Sequence, residues 1–177
     1  AFDNSAAKVP NNISLMNTRK FVRGQFLNPF VVSAENIQNL SRYVNWEDNS
    51  NLPLREVFDR LTSKSGGSLD RSFISIVNST VNNNQSLQGD LATVPSTLVS
   101  YPTAENSWGN TIDGNSIERF TSQLKRAAEL IEIAPSLGHH RQVIYVHLNG
   151  FDTHDNQADG FPKVMKLLAD GLKAFQS

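Results

Sequence analysis

The sequence predicts an α/β fold, rich in helix and built around one clear strand. Three observations carry that expectation. Residues Val143 to Leu148 are mostly β-branched or aromatic, and apolar residues fall on both alternating faces. The run breaks at Asn149-Gly150 into a polar turn, Asp152-Thr153-His154-Asp155. Segments with helical apolar spacing, about five in all, make up most of the remaining pattern. Val143, Tyr145 and His147 project to one face, and Ile144, Val146 and Leu148 to the other. Such a strand is normally covered on both sides, as in a parallel sheet between helices. Its turn lies beyond the carboxyl end, where open α/β sheets usually place their ligands.

A chain of 177 residues fits one domain and is long enough to bury a sizeable core. The net charge of −1 and the absence of clustered Lys and Arg predict no nucleic-acid partner. No apolar run reaches the roughly 18 residues of a membrane span. With no cysteine, disulfide frameworks and thiolate metal sites are excluded. The Asn-, Ser- and Thr-rich composition, 19% charged, suits a periplasmic or secreted protein. Sequons at Asn12, Asn39, Asn78 and Asn84 read as chance in so Asn-rich a chain. No secretory signal is read, and the first residue is Ala. The expectation is that something was removed upstream or that the chain was cut from a longer one.

Residues 1 to 32 read as irregular to extended. Ile13-Ser14-Leu15 alternates, and the stretch from Lys20 to Val32 is interrupted by Gly24 and Pro29, so one or two short edge strands are the most it offers. Ser33 caps a helix with Ile37, Leu40 and Val44 at helical spacing. After a polar loop carrying Trp46, Pro53 opens a second helix with Leu54, Val57, Phe58 and Leu61 on one face. A third starts near Ser68, buries Leu69, Phe73, Ile76, Val77 and Val81, and fades through Asn82-Asn83-Asn84. Residues 89 to 114 form a long connection, with Trp108 as its anchor.

Asn115 caps the best helix, with Glu118 completing a capping-box-like start. Ile117, Phe120, Leu124, Ala127, Ala128, Ile131 and Ala134 hold its period, and Pro135 and Gly138 end it. The last helix runs from about Phe161, with Phe161, Val164, Met165, Leu168, Leu172 and Phe175 on one stripe. The chain thus reads as a single partial domain, 1–177. Residues 1–114 are helical and loop-rich, and 115–177 form a helix-strand-turn-helix core unit.

About five helices against one convincing strand is a mismatch, because a lone buried strand leaves backbone groups unpaired. Either the weak N-terminal segments supply its partners, or the partners lie in sequence beyond this chain. The second alternative is the expectation.

Asp152 and His154 are two residues apart, so in extended backbone both side chains project to one side. A carboxylate and an imidazole converging at a strand end can bind a divalent cation such as zinc or manganese. They can instead form an acid–base pair. A structural alternative stands beside both: Asp152 makes an Asx-turn and His154 is a solvated loop residue. Asp155 and Asp159 read as carboxylates at a helix start. His147 reads as a hydrogen-bonded core histidine. His139-His140 lie at the other end of the strand, roughly 25 Å or more from Asp152 at ~3.3 Å per residue, too far to share one metal. No Gly-x-Ser-x-Gly elbow or Walker-type glycine loop is present.

The turn Gly150-Phe151-Asp152-Thr153-His154-Asp155-Asn156-Gln157 resembles the hallmark of a bacterial family known as domain of unknown function 1501. Leu167-Leu168 and Ala174-Phe175 follow it, and Gln123-Leu124 and Ala128-Glu129-Leu130-Ile131 precede it. The resemblance covers about the last third of the chain. That family is similar to the alkaline phosphatase and sulfatase superfamily. The resemblance implies a doubly wound α/β domain, of which this chain is a helix-rich middle fragment. It also implies export, often through a twin-arginine signal, and metal-assisted hydrolysis of phosphate or sulfate esters. Asp152 and His154 carry over as candidate metal ligands. The family's Gly-rich opening strand and its later Ser-(Glu/Asp)-Phe-Gly-Arg and Asp-His-Gly segments are absent. The rest of a parent polypeptide is therefore the first expected partner, and this chain alone is expected to be inactive. The alternative function is a non-catalytic, exported binding or assembly module with a protein partner.

Overall fold

The computed structural model describes residues 7–16, 22–23, 29–34, 60, 67–95, 114–152 and 157–176. In chain order the elements are β1 (Asn12–Ser14), β2 (Phe30–Val31), α1 (Ser68–Leu91), α2 (Gly114–Glu132), β3 (Val143–Tyr145) and α3 (Gln157–Gln176). The fold is mixed α/β. The helices expected over Ile37, Leu40 and Val44, and over Leu54, Val57, Phe58 and Leu61, lie outside the described residues, as do Trp46 and Trp108.

The central strand is not an orphan. The sheet has three parallel strands in the order β2-β1-β3. Ile13 pairs with Phe30 on one side and with Ile144 on the other. A weak N-terminal segment, β1, supplies the partner on one edge of β3, which overturns for that edge the expectation that its partners lay beyond this chain; among the described residues the other edge has no paired strand. β1 is the middle strand rather than an edge. β3 is shorter than expected, because its ladder with β1 ends at Tyr145. It is also less covered. Val143 is 54% exposed, since β3 is an outer strand of the described sheet.

Four bonds feed the chain into β1. Lys8 N–H donates to the Leu137 carbonyl at 3.0 Å, and Val143 N–H to the Asn11 carbonyl at 2.9 Å. His139 Nε2 donates to the Val9 carbonyl at 2.7 Å, and Asn11 Nδ2 to the Arg141 carbonyl at 3.3 Å. The opposite wall of this seam is the turn region that ends α2. His139 N–H bonds the Ala134 carbonyl and Gly138 N–H the Pro135 carbonyl. With Gly138 at φ 74°, that pair of bonds is a Schellman motif.

The apolar residues of the helices gather on one face of the sheet. Ile13, Leu15 and Val32 meet Leu87 of α1, Ala127 and Leu130 of α2, then Ile133 and Leu137, with Ile144 and Val146 packed against them. A second cluster joins Phe120 and Leu124 of α2 to Val164 and Leu167 of α3, beside Val146 and Leu148. The alternation read from the strand is therefore correct. Beyond the end of β2, Arg126 donates to the Ala34 carbonyl and pairs with Glu129 at 2.8 Å.

The helices differ from expectation in extent and in face. α1 starts at Ser68 as expected but runs through the asparagines to Leu91, because Leu87 and Leu91 reach the core. That packing outweighs the weak helix propensity of Asn. Of its expected buried side, Phe73 and Ile76 are 61% and 66% exposed. In α2 Phe120, Leu124 and Ala127 are buried as expected, but Leu130 is buried where Ile131 was expected to be, and Ile131 is exposed. α3 starts at Gln157, not Phe161, and buries Gly160, Val164, Leu167 and Gly171. Phe161, Met165 and Leu172 of its expected stripe are exposed.

Candidate functional site

All three strands end on the same edge of the sheet. From β1 the chain moves to β2 on one side, then returns past β1 to β3 on the other. β1 and β3 are neighbours whose continuations part, and open α/β sheets bind ligands in the crevice at such a point. Ser14, fully buried at the end of β1, donates its Oγ–H to the Met16 carbonyl at 2.6 Å. Leu15 N–H bonds the Tyr145 carbonyl at 3.1 Å and Val32 N–H bonds the Ser14 carbonyl at 2.9 Å.

Past Tyr145 the chain is held by α2. Gln123 is 2% exposed and sits between Phe120, Leu124 and Ala127 on the buried side of the helix. Its Oε1 accepts the His147 N–H at 2.8 Å. Its Nε2 donates to the His147 carbonyl at 3.0 Å and to the Arg119 carbonyl at 3.0 Å. Both amide hydrogens and the carbonyl oxygen are thus used, as a buried carboxamide requires. The reversed amide would set its oxygen against two carbonyls, so the partners fix its orientation.

Two residues beyond Leu148, Gly150 has φ 104°, a conformation that side chains rarely adopt. A Cβ there would also lie 3.2 Å from Val164 Cγ2. Gly150→Ala is expected to cost about 1–3 kcal/mol, the range for a residue held in a sparsely populated backbone region. A urea midpoint equal to that of the parent would contradict this. Phe151 follows and meets Phe161 of α3 edge to face, with centroids 6.2 Å apart at 68°. Both rings remain substantially exposed.

Asp152 is exposed beyond this turn. Thr153, His154, Asp155 and Asn156 lie outside the described residues. Asp159 is an exposed carboxylate in the first turn of α3, where the helix N-terminus favours negative charge. Among the described residues no group of three or more His, Cys, Asp or Glu is arranged to hold a metal ion. Also among them, no helix is long and apolar enough to cross a membrane.

His139 and His147 serve architecture. His139 is buried, its Nε2 on the Val9 carbonyl and its Nδ1 2.8 Å from Gln142 Nε2. Gln142 Nε2 also donates to the Leu130 carbonyl at 3.2 Å. These partners place the ring proton on Nε2 and the lone pair of Nδ1 against a donor. Both ring nitrogens are thus engaged by protein groups. His147 is half-buried rather than a core residue. Its ring stacks on Tyr145 at 6.4 Å and 25°, while its backbone bonds Gln123.

Gln123 is the site residue that sequence reasoning missed. The available signal was a polar residue at a helix position flanked by Phe120, Leu124 and Ala127 at core spacing. In comparisons with protein-family models, curated proteins and solved structures, the chain matches none.

Proposed function

We propose that this chain contributes the ligand-binding turn of an exported, metal-dependent hydrolase of phosphate or sulfate esters. One observation carries the proposal. The segment that opens the Gly-Phe-Asp-Thr-His-Asp-Asn-Gln motif leaves the sheet at the carboxyl end of β3, beside the strand where the order reverses. The likeness to domain of unknown function 1501 and to the alkaline phosphatase and sulfatase superfamily rests on the residues of that motif. Asp152 and His154 would hold the metal, and a carboxylate with an imidazole is a donor pair that suits zinc or manganese. Such a metal, when bound, supplies Lewis-acid charge that polarises the ester being cleaved. The chain's own residues position the turn: Gln123 holds His147, Gly150 makes the bend, and the Phe151–Phe161 pair borders Asp152.

The test is hydrolysis of 4-nitrophenyl phosphate and 4-nitrophenyl sulfate by the longest native form of the protein, with zinc or manganese supplied. Turnover is expected to vanish in Asp152→Asn and in His154→Ala. Turnover that survives both substitutions contradicts the assignment.

A second reading, an exported assembly module without catalysis, is favoured by a different observation. Phe73 and Ile76 on α1, and Phe161, Met165 and Leu172 on α3, are exposed apolar side chains of the kind that mark interaction surfaces. Absence of turnover and of bound metal in the parent protein would move the assignment to that module.

A further inference from the structure

We infer that Gln123 is a positioning residue, whose carboxamide replaces a missing length of strand and sets the line along which residues 149–152 leave the sheet. In a strand, the N–H and C=O of alternate residues face the same neighbour. Val143 N–H reaches the Asn11 carbonyl and the Tyr145 carbonyl accepts from Leu15, so the odd-numbered residues of β3 face β1. His147 is next in that series. A continued ladder would pair it with the backbone of Leu15 and beyond, but β1 ends at Ser14, whose Oγ closes a local turn onto Met16. At His147 the carboxamide of Gln123 supplies the same acceptor and the same donor, 2.8 Å and 3.0 Å away. A peptide unit and a side-chain amide carry the same groups, and this one is held from behind by the Arg119 carbonyl. The crevice where β1 and β3 part is thereby closed at its base by a side chain of α2, and the turn starts from a fixed point. The inference stands on backbone geometry and holds whether or not the turn takes a metal.

Amide hydrogen exchange on Gln123→Met and Gln123→Glu tests it. Methionine removes both bonds at nearly constant volume. Protection of the His147 amide is expected to fall about tenfold or more, as for loss of a buried bond. The Leu15 and Val143 amides, bonded across β1 and β3, should stay as protected as in the parent protein. Burial against the Arg119 and His147 carbonyls favours the neutral acid form of a glutamate there, which keeps an acceptor for the His147 N–H and an O–H donor for one of the carbonyls, so protection of the His147 amide should remain within about threefold of the parent. Unchanged His147 protection in Gln123→Met overturns the inference. So does an equal loss of His147 protection in both variants, or a loss spread evenly over the sheet. Should the methionine variant fail to fold, Gln123→Glu decides alone: retained His147 protection supports the role and its loss contradicts it.

Discussion

Replacing Leu130 with Ala should lower the stability of the protein by about 3–4 kcal/mol, the middle of the range for a buried leucine. Leu130 is completely buried. It belongs to the cluster that joins Ile13 of β1 and the following Leu15 to Leu87, Ile133 and Leu137. Its own carbonyl accepts from Gln142, which in turn faces His139, so the backbone at this point is held by the seam to the N-terminal segment. The surroundings can collapse only slightly into the space left, and the cavity term adds to the lost transfer energy. Ile131→Ala is the matched control. Ile131 is 51% exposed, and its truncation should cost less than about 1 kcal/mol. Urea unfolding measures both, as a fall in midpoint at constant slope. Equal effects of the two substitutions would contradict the face assigned to α2.

Gly171→Val should be nearly as damaging, by about 2–3 kcal/mol, for the opposite reason: too much volume instead of too little. A Cβ at Gly171 would lie 2.8 Å from Cε1 of Phe120 and 3.0 Å from Cδ1 of Leu124. Both of those side chains are buried in the α2–α3 cluster, so neither ring nor branch has free space to move into. Valine adds two methyl groups beyond that Cβ. Removing a helix-interior glycine returns about 0.5–1 kcal/mol of backbone entropy, which is too little to offset the clash. A valine variant with the parent's unfolding midpoint would contradict the close approach of the two helices.

The same glycine explains what could be read from the sequence and what could not. Apolar pattern finds a helix and then assigns the face with the largest side chains to the core. In α3 that choice was the stripe through Phe161, Val164, Met165, Leu168, Leu172 and Phe175, of which Val164, Leu168 and Phe175 pack inward while Phe161, Met165 and Leu172 are exposed. The buried stripe also takes in Gly160 and Gly171, residues that add nothing to a hydrophobic count, and at Gly171 the missing side chain lets Phe120 and Leu124 of α2 approach. Ile131 and Leu130 are equally apolar neighbours, and only the position of the sheet distinguishes them. The N-terminal strands were read as short edges at most, and the central place of β1 was hidden for another reason. Three residues and two residues are too short to show a period, and their pairing is decided by partners more than a hundred positions away in the case of β1 and β3.

The approach to the turn was legible where it is local. The start of β3, the break at Asn149-Gly150 and the side-chain alternation all describe neighbouring residues, and the structure agrees with them, though the strand's ladder ends at Tyr145. The support at Gln123 is not local. It lies 24 positions from His147 and reads as one more polar residue until the sheet is assembled. His139 is the converse case. A pair of histidines suggests a metal, and the fold instead gives His139 two hydrogen-bond partners and a place in the seam beside β1.

The central claim is that the turn after β3 is a ligand site and not a bend alone. Metal content, determined by elemental analysis of the longest native form beside its Asp152→Asn/His154→Ala double variant, tests it most directly. The expected result is a stoichiometric divalent metal, zinc or manganese, in the parent protein and none in the variant, with both forms folded. An equal metal content in both forms, or no metal in either, would contradict the claim.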